Sequence, residues 1–434
     1  MPRSGTVGSK QTHVRCANGF LRRAVSVSRR ADIQRDRQRG IAPVNRANRS
    51  DRRRRWADPS LGRKTDGAVA RRADADRSCC GGSDDGPETI GSLRLIGDYS
   101  IKTKTLFDGV EFGGISGLDR APDGSYWAIS DERGGERGTP RFYNLGIQFD
   151  DKAIQAVTIR KMVTLKGRDG QPLPGTRRTV DPEGIRVAPN GNLYVSSEGN
   201  FSTDPASLFQ PFVREIRVDG SFVRDFETPA AFNYVDNTTS GGRNNKLFEA
   251  LAVTPDGSVF TANEDALVED GPLTTLAAGS VVRVLKLDPA TGKSGAQYAY
   301  QLPKIPLDKA ASGSFPPDNG LPELLAVSNH EFIAIERAFA DGVGNTIRLT
   351  RATIEPDTTD VRSFKSLVGA SYKPMKRELL LEMPVTYQGV KLDNIEGISW
   401  GPRLANGNRT LVLVADNNFA DNQVTQFLAF EVRP

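Results

Sequence analysis

Beyond residue 80 this 434-residue chain has no cysteine: Cys16, Cys79 and Cys80 all precede it. Disulfides and thiolate metal sites are therefore excluded from most of its length. Histidine is nearly as scarce, with only His13 and His330, which argues against a Ser-His-Asp triad or a phosphohistidine mechanism. No apolar run approaches the ~20 residues of a membrane-spanning helix. Helical periodicity is scarce, and no P-loop, GxSxG or dinucleotide fingerprint is present.

Charge is unevenly shared. The net charge of +5 hides a strongly basic start, since residues 1–80 carry 21 Lys and Arg against 7 Asp. The remainder holds 37 basic and 46 acidic residues, so the basic pI does not mark the later part as a nucleic-acid binder. Residues 1–88 include Arg52-Arg53-Arg54-Arg55 and lack a sustained apolar pattern. Such a segment cannot bury enough surface to offset its ordering entropy, and a disordered or targeting role is expected. Cys80-Gly81-Gly82-Ser83 looks like the start of a mature lipoprotein, but the apolar stretch that should precede it is missing.

From residue 89 short apolar runs alternate with Gly, Pro and Asp. One pattern recurs five times, at Ile115–Glu132, Pro182–Gly199, Phe248–Asp265, Pro322–Arg337 and Ile395–Asn417. Each copy is two apolar runs around a turn, Pro-Asp-Gly or Pro-Asn-Gly in three of them, which is a β-hairpin signal. Repeats of this length built from strands indicate an all-β propeller. The spacing favours six blades, the sixth too divergent to see, with five as the alternative. Leu93–Ile101 and Val424–Val432 both read as strands, and their pairing would close the ring.

Acids flank the turns: Glu183 and Glu198, Glu249 and Glu264, Glu323 and Glu336, Glu396 and Asp416, with Ser116 and Asp131 in the first copy. Symmetric hairpins would set these residues opposite one another, and like charges in that position are destabilising. A cation among them is the natural remedy. Carboxylates with Asn417, Asn394 and main-chain carbonyls suit a hard ion, Ca²⁺ better than Mg²⁺. The bland reading is that some of these acids cap turns or pair with neighbouring arginines.

Arg133, Arg137, Arg141, Arg243 and Arg337 lie beside the acids in sequence. Guanidinium groups hold phosphate or carboxylate, so a cation and arginines together could bind a phosphate ester and stabilise its transition-state charge while water attacks. Structural salt bridges are the competing role. His330 falls in a turn and is expected to point away from the acids. Tyr126, Trp127, Tyr194, Phe260, Phe332 and Trp400 are expected to be inter-blade core.

At these residues the chain resembles the phytase-like family, whose domain is described as esterase-like activity of phytase. The resemblance is carried by Phe112–Asp119, Ser130–Gly134, Arg141-Phe142-Tyr143, Asp181-Pro182-Glu183-Gly184 and Ser197-Glu198-Gly199. It continues through Asn244–Ala252, Asn263-Glu264, Ile335-Glu336-Arg337, Asn394–Ile398 and Asp416–Phe419. It implies a calcium-dependent propeller acting on phosphate esters, exported or anchored as a periplasmic lipoprotein, although no signal peptide is readable here. Glu249-Ala250 and Glu323-Leu324 depart from the family's Glu-Gly.

Asp131, Glu183, Glu198, Glu249, Glu264, Glu396, Asp416 and Asn417 are thus the expected metal ligands, and Glu264, Glu336, Arg337, Arg133 and Arg141 the expected catalytic groups. The expected partner is a small phosphate ester or other anion, with no nucleic acid, and the domain, residues 89–434, is expected to be a monomer. The rival readings are a non-catalytic binding scaffold with a structural cation and a lactonase-type propeller.

Overall fold

The computed structural model describes residues 90–235 and 239–434. The basic segment 1–88, with its cysteines and the lipoprotein-like Cys80, lies outside the described residues.

Five four-stranded antiparallel sheets form the blades. Blade 1 holds β4 (Ile115–Arg120), β5 (Tyr126–Ser130), β6 (Arg141–Phe149) and β7 (Ile154–Thr164). Blade 2 holds β8 (Pro182–Val187), β9 (Leu193–Ser197), β10 (Phe212–Ile216) and β11 (Phe222–Asp225). Blade 3 holds β12 (Phe248–Val253), β13 (Val259–Asn263), β14 (Ser280–Leu287) and β15 (Ser294–Leu302). In blade 4, β16 (Asp318–Ala326) and β17 (Glu331–Ala340) precede β18 (Gly344–Thr353) and β19 (Lys376–Met383). Blade 5 joins β22 (Asn394–Trp400), β23 (Thr410–Asp416) and β24 (Val424–Arg433) to the first strand of the described chain, β1 (Ser92–Lys102). The pairs Leu93–Val432 and Ile101–Thr425 are the expected closure, and they cover an edge that would otherwise be open.

The innermost strands pack β4 on β8, β8 on β12, β12 on β16, β16 on β22 and β22 on β4. That ring is complete with five blades, the smaller of the two numbers considered. The residues that suggested a sixth are spent on loops and on two short hairpins. These are β2 (Leu106–Phe107) with β3 (Val110–Glu111), and β20 (Thr386–Tyr387) with β21 (Val390–Lys391).

Each pair of neighbouring blades shares its own apolar core, because alternate residues of every strand face the next sheet. Phe260 of blade 3 meets Phe332 of blade 4 edge-on at 5.0 Å, and both are buried. Burial of one such ring stabilises by about 1.5–3 kcal/mol. Tyr126 and Tyr194 are likewise buried in inter-blade cores. Gly117 and Gly184 sit where inner strands approach closely. A Cβ on Gly117 would lie 2.8 Å from the Glu183 carbonyl, and one on Gly184 2.7 Å from Leu251 Cβ.

The inner hairpins differ from the symmetric pairing expected of them. Their turns hold three residues, centred on Asp123, Asn190 and Asp256, with Gly124, Gly191 and Gly257 at φ +82° in each. Pairing is therefore displaced by one residue: Phe248 faces Asn263 and Pro182 faces Ser197. The first marked residue of blades 1, 2, 3 and 5 (Ser116, Glu183, Glu249, Glu396) falls in a β-bulge. The second marked residue (Asp131, Glu198, Glu264) lies one past the end of its strand, and in blade 5 Asp416 takes the same place at the end of β23. A bulge re-aims a side chain that the pleat would otherwise send into the sheet face. The acids are thus not cross-strand partners, yet both sets are delivered to the same end of the channel.

Candidate functional site

That end of the channel opens into a cavity of about 920 Å³. Around it stand Asp131, Glu183, Glu249, Asp318, Glu396 and Asp416 with Arg133, Lys246 and Arg337. Asp181, Glu198 and Glu264 complete the cluster, in two groups of closely spaced carboxylates: Asp181, Glu183 and Glu198, then Glu198, Glu249 and Glu264. Nine carboxylates so gathered face Arg133, Lys246 and Arg337, and Asp98, Asp341, Asp393 and Lys391 also line the cavity.

Arg133, Lys246 and Arg337 are each committed to particular acids. Arg133 Nε is 2.7 Å from Asp181 Oδ1. Lys246 Nζ donates to Glu264 Oε2 and Asp318 Oδ2, both at 2.6 Å. Arg337 Nη2 donates to Glu264 Oε1 at 2.9 Å and lies 3.4 Å from Glu396 Oε1. Glu198 accepts from the Leu247 amide at 2.9 Å, and Asn394 Nδ2 donates to Glu396 at 2.8 Å. Glu183 and Glu249 have no cation among these contacts.

The electrostatic consequence is shared by every acid of the cluster except Asp318, which, against the effect of burial, Lys246 and Arg337 hold below its ordinary value. Burial, reinforced by neighbouring carboxylates, pushes Asp131, Glu183, Glu198 and Glu249 well above the ordinary range. Burial likewise pushes Asp181 up to about 7, Glu396 to about 8 and Asp416 to about 6, despite nearby arginines. Such a set is relieved either by protons or by a metal ion. Oxygen atoms within 4.8 Å of one another match ligands on opposite sides of an ion bound at about 2.4 Å, the calcium distance. Asp131 Oδ1 is buried without a hydrogen-bond partner, and neither His nor Cys is in the cluster. The donor set therefore fits a hard cation and is poor for zinc.

Three expected site residues are not brought to this cluster. Glu336 instead accepts from Tyr300 of blade 3 and from Arg377, Nε and Nη2, at 2.6 Å. The cause is a one-residue offset in the fourth repeat. Glu323 lies six residues before its turn centre Asn329, whereas Glu183 lies seven before Asn190, and a shift of one residue exchanges the two faces of a strand. Arg337 consequently occupies the place that Glu198 and Glu264 hold in their blades. Arg141 is buried, donating to Tyr143 Oη (2.6 Å), the Thr139 carbonyl (3.1 Å) and the Glu111 carbonyl (2.9 Å). Asn417 accepts from the Gly114 amide at 2.8 Å and donates to Thr103 at 2.9 Å, which fixes a loop. Arg243 serves the carbonyls of Ala266 and Gly271, and His330 is exposed in its turn.

Other residues have functions that their sequence setting did not reveal. Lys246 and Asp318 precede the repeats they serve and have no counterpart in other copies. Arg186, inside the apolar run of β8, crosses the channel below the acids. It donates to the carbonyls of Leu251 (2.6 Å), Leu118 (2.7 Å), Ile398 (2.9 Å) and Leu324 (2.9 Å), one from each other blade. Its Nη2 is also 2.9 Å from Glu323 Oε2. A charged residue between the apolar Ile185 and Val187 was the available signal.

A five-bladed propeller with an acidic, arginine-flanked cavity at one end of its channel is the class that fold and site define. The chain belongs to the phytase-like family, described as "Esterase-like activity of phytase", whose model matches residues 110–419. No curated protein matches the chain by sequence. Among solved structures it is similar to the PQQ-bound aldose sugar dehydrogenase of Streptomyces coelicolor, at 14% identity and a TM-score of 0.33 over 80% of this chain and 100% of that one. A family-43 β-1,3-galactosidase aligns at 12% identity and 0.41 over 77% and 95%. The periplasmic gluconolactonase of Pseudomonas aeruginosa aligns at 13% and 0.32 over 74% and 86%. Likenesses at this level say nothing about activity. Among the described residues no helix is long and apolar enough to cross a membrane.

Proposed function

We propose that the chain is a calcium-dependent hydrolase of phosphate monoesters working in the acidic cavity. The observation that carries this reading is the imbalance of the cluster, in which nine carboxylates are gathered against Arg133, Lys246 and Arg337. Asp181, Glu183, Glu198, Glu249 and Glu264 would hold Ca²⁺, with Asp131 beside them. Bound there, the ion would supply Lewis-acid polarisation of the phosphoryl group and offset the like charges.

Arg133 and Arg337 line the same cavity and present guanidinium groups to an anion. Arg337 Nε is buried without a hydrogen-bond partner, so one donor remains for a phosphoryl oxygen. Such fixed donors cost little reorganisation as charge develops on the phosphoryl oxygens. Arg186, paired with Glu323, spans the channel beneath the site and ties the other four inner strands together. Water attacks phosphorus, the ester P–O bond breaks, and the alcohol leaves with a proton. Family membership supports an esterase-type reaction, and export to the periplasm accords with that membership.

The test is steady-state kinetics on a panel of phosphomonoesters in free Ca²⁺. Arg133→Ala is expected to raise KM about 10-fold or more, since a charge-assisted contact is worth roughly 1.5–3 kcal/mol. Unchanged KM in that variant would remove Arg133 from the anion site.

A further inference from the structure

The cavity is not symmetric about the channel axis. From the acid cluster it runs outward between blades 4 and 5 as far as Asp98 and Ser100 on β1, the outermost strand of blade 5. One wall of this slot is a row across blade 4. Asp318 of β16 pairs with Phe339 of β17, and Phe339 with Asn345 of β18. The row lies just above Ile347, which belongs to the apolar core shared by these blades. The facing wall comes from the β20–β21 hairpin, with Val390 and Lys391, and from Gln426.

Two features of the blade 4 wall point to a ligand. Phe339 is only half-buried although it stands in the middle of a sheet row, so part of its ring faces the slot. Asn345 is 6% exposed, yet its Oδ1 has no hydrogen-bond partner. An unpaired buried amide oxygen costs about 1–3 kcal/mol, and a native fold seldom carries that cost without a use. A hydroxyl satisfies an amide in either orientation, because it both donates and accepts. An aromatic face beside a hydrogen-bonding amide suits a ring that is apolar on its faces and hydroxylated at its rim.

We infer that the slot between blades 4 and 5 holds the polyhydroxylated ring of a sugar phosphate, with a ring hydroxyl on Asn345 and the ring against Phe339. This rests on the phosphate-ester reading of the acidic cavity, which would take the phosphoryl group at the slot's inner end. Lys391, exposed and without an ion pair among the described residues, stands on the facing wall.

The experiment compares glucose 6-phosphate with hexyl phosphate, which has the same charge and six carbons but no hydroxyls. Binding to the full chain is measured calorimetrically in Ca²⁺, and hydrolysis of both is followed in parallel. The wild type is expected to bind the sugar phosphate at least 10-fold more tightly. Asn345→Leu, similar in size but without the amide, should reduce that preference to about twofold or less, and Phe339→Ala should do likewise. Melting temperatures close to the wild type's establish that the variants fold. Equal affinity for both ligands in the wild type, or a preference that survives both variants, overturns the inference. Preferential binding of the sugar phosphate without any hydrolysis would sustain the slot while overturning the hydrolase reading.

Discussion

Arg186→Met removes a guanidinium that serves one carbonyl in each of four blades and the buried carboxylate of Glu323. Removing one partner of a buried ion pair costs about 3–5 kcal/mol, because the other charge is left uncompensated. For a domain of this size, with an unfolding entropy near 2.1 cal/mol/K per residue, that is a fall in Tm of roughly 4–7 °C. The loss should depend on pH. Burial already pushes Glu323 up to about 7, against the lowering effect of Arg186, so without Arg186 the carboxyl rises further. At pH 5.5 it is then neutral in both proteins and the uncompensated charge disappears, leaving only the unpaired carbonyls. Thermal unfolding at pH 5.5 and 8 should show the smaller deficit in acid, and Glu323→Gln added to Arg186→Met should recover much of the alkaline loss. A deficit under 1 kcal/mol, or one indifferent to pH and to Glu323→Gln, would refute this account of Arg186.

Three further outcomes are expected. Glu198→Gln, altering the one residue common to both carboxylate groups, should cut the rise in Tm on adding Ca²⁺ by more than half, whereas Asp416→Asn should cut it less; equal effects would argue against Glu198 as a shared ligand. Asp181, Asp416 and Glu396 have folded pKa values raised to about 7, 6 and 8, so between about pH 4 and 8 the native state holds more protons than the unfolded chain. Their stability contribution is full below about pH 4 and is lost as pH rises through 6 to 8. The chelated protein should therefore melt at lower temperature at pH 8.5 than at pH 5.5, with Ca²⁺ restoring most at the alkaline end; a flat profile would contradict it. Glu336→Gln should cost about 1–3 kcal/mol by weakening the contacts with Tyr300 and Arg377, with Ca²⁺ affinity and KM unchanged; a change in either would return Glu336 to the site.

The repeat spacing, the turn residues and the closing strand made the propeller legible before its structure, because turn chemistry and alternation are local. The blade number was not, since loops and a sixth sheet consume residues alike. Asp131, Glu183, Glu198, Glu249, Glu264, Glu396 and Asp416 converge as their positions in the repeat suggested. The geometry that gathers them is different: three-residue turns and inner-strand bulges rather than symmetric pairing. Glu336 and Arg337 show the limit of reading by symmetry, because one residue of offset decides which of two adjacent side chains reaches the cavity. Arg141 and Asn417 make their contacts outside the cluster, because nearness in sequence to an acid does not tell where a side chain finds its hydrogen-bond partners. Lys246, Asp318 and Arg186 lay outside the repeated pattern, and only the assembled ring shows what they touch.

The most direct test of the central claim is phosphate release from a panel of phosphomonoesters as free Ca²⁺ is titrated against a chelator, using the full chain and Glu198→Gln. Release that rises with Ca²⁺ in the wild type and falls 100-fold or more in a folded Glu198→Gln is the predicted result. No release from any ester at any Ca²⁺ concentration, with the metal still raising Tm, would contradict it and leave a cation-stabilised scaffold.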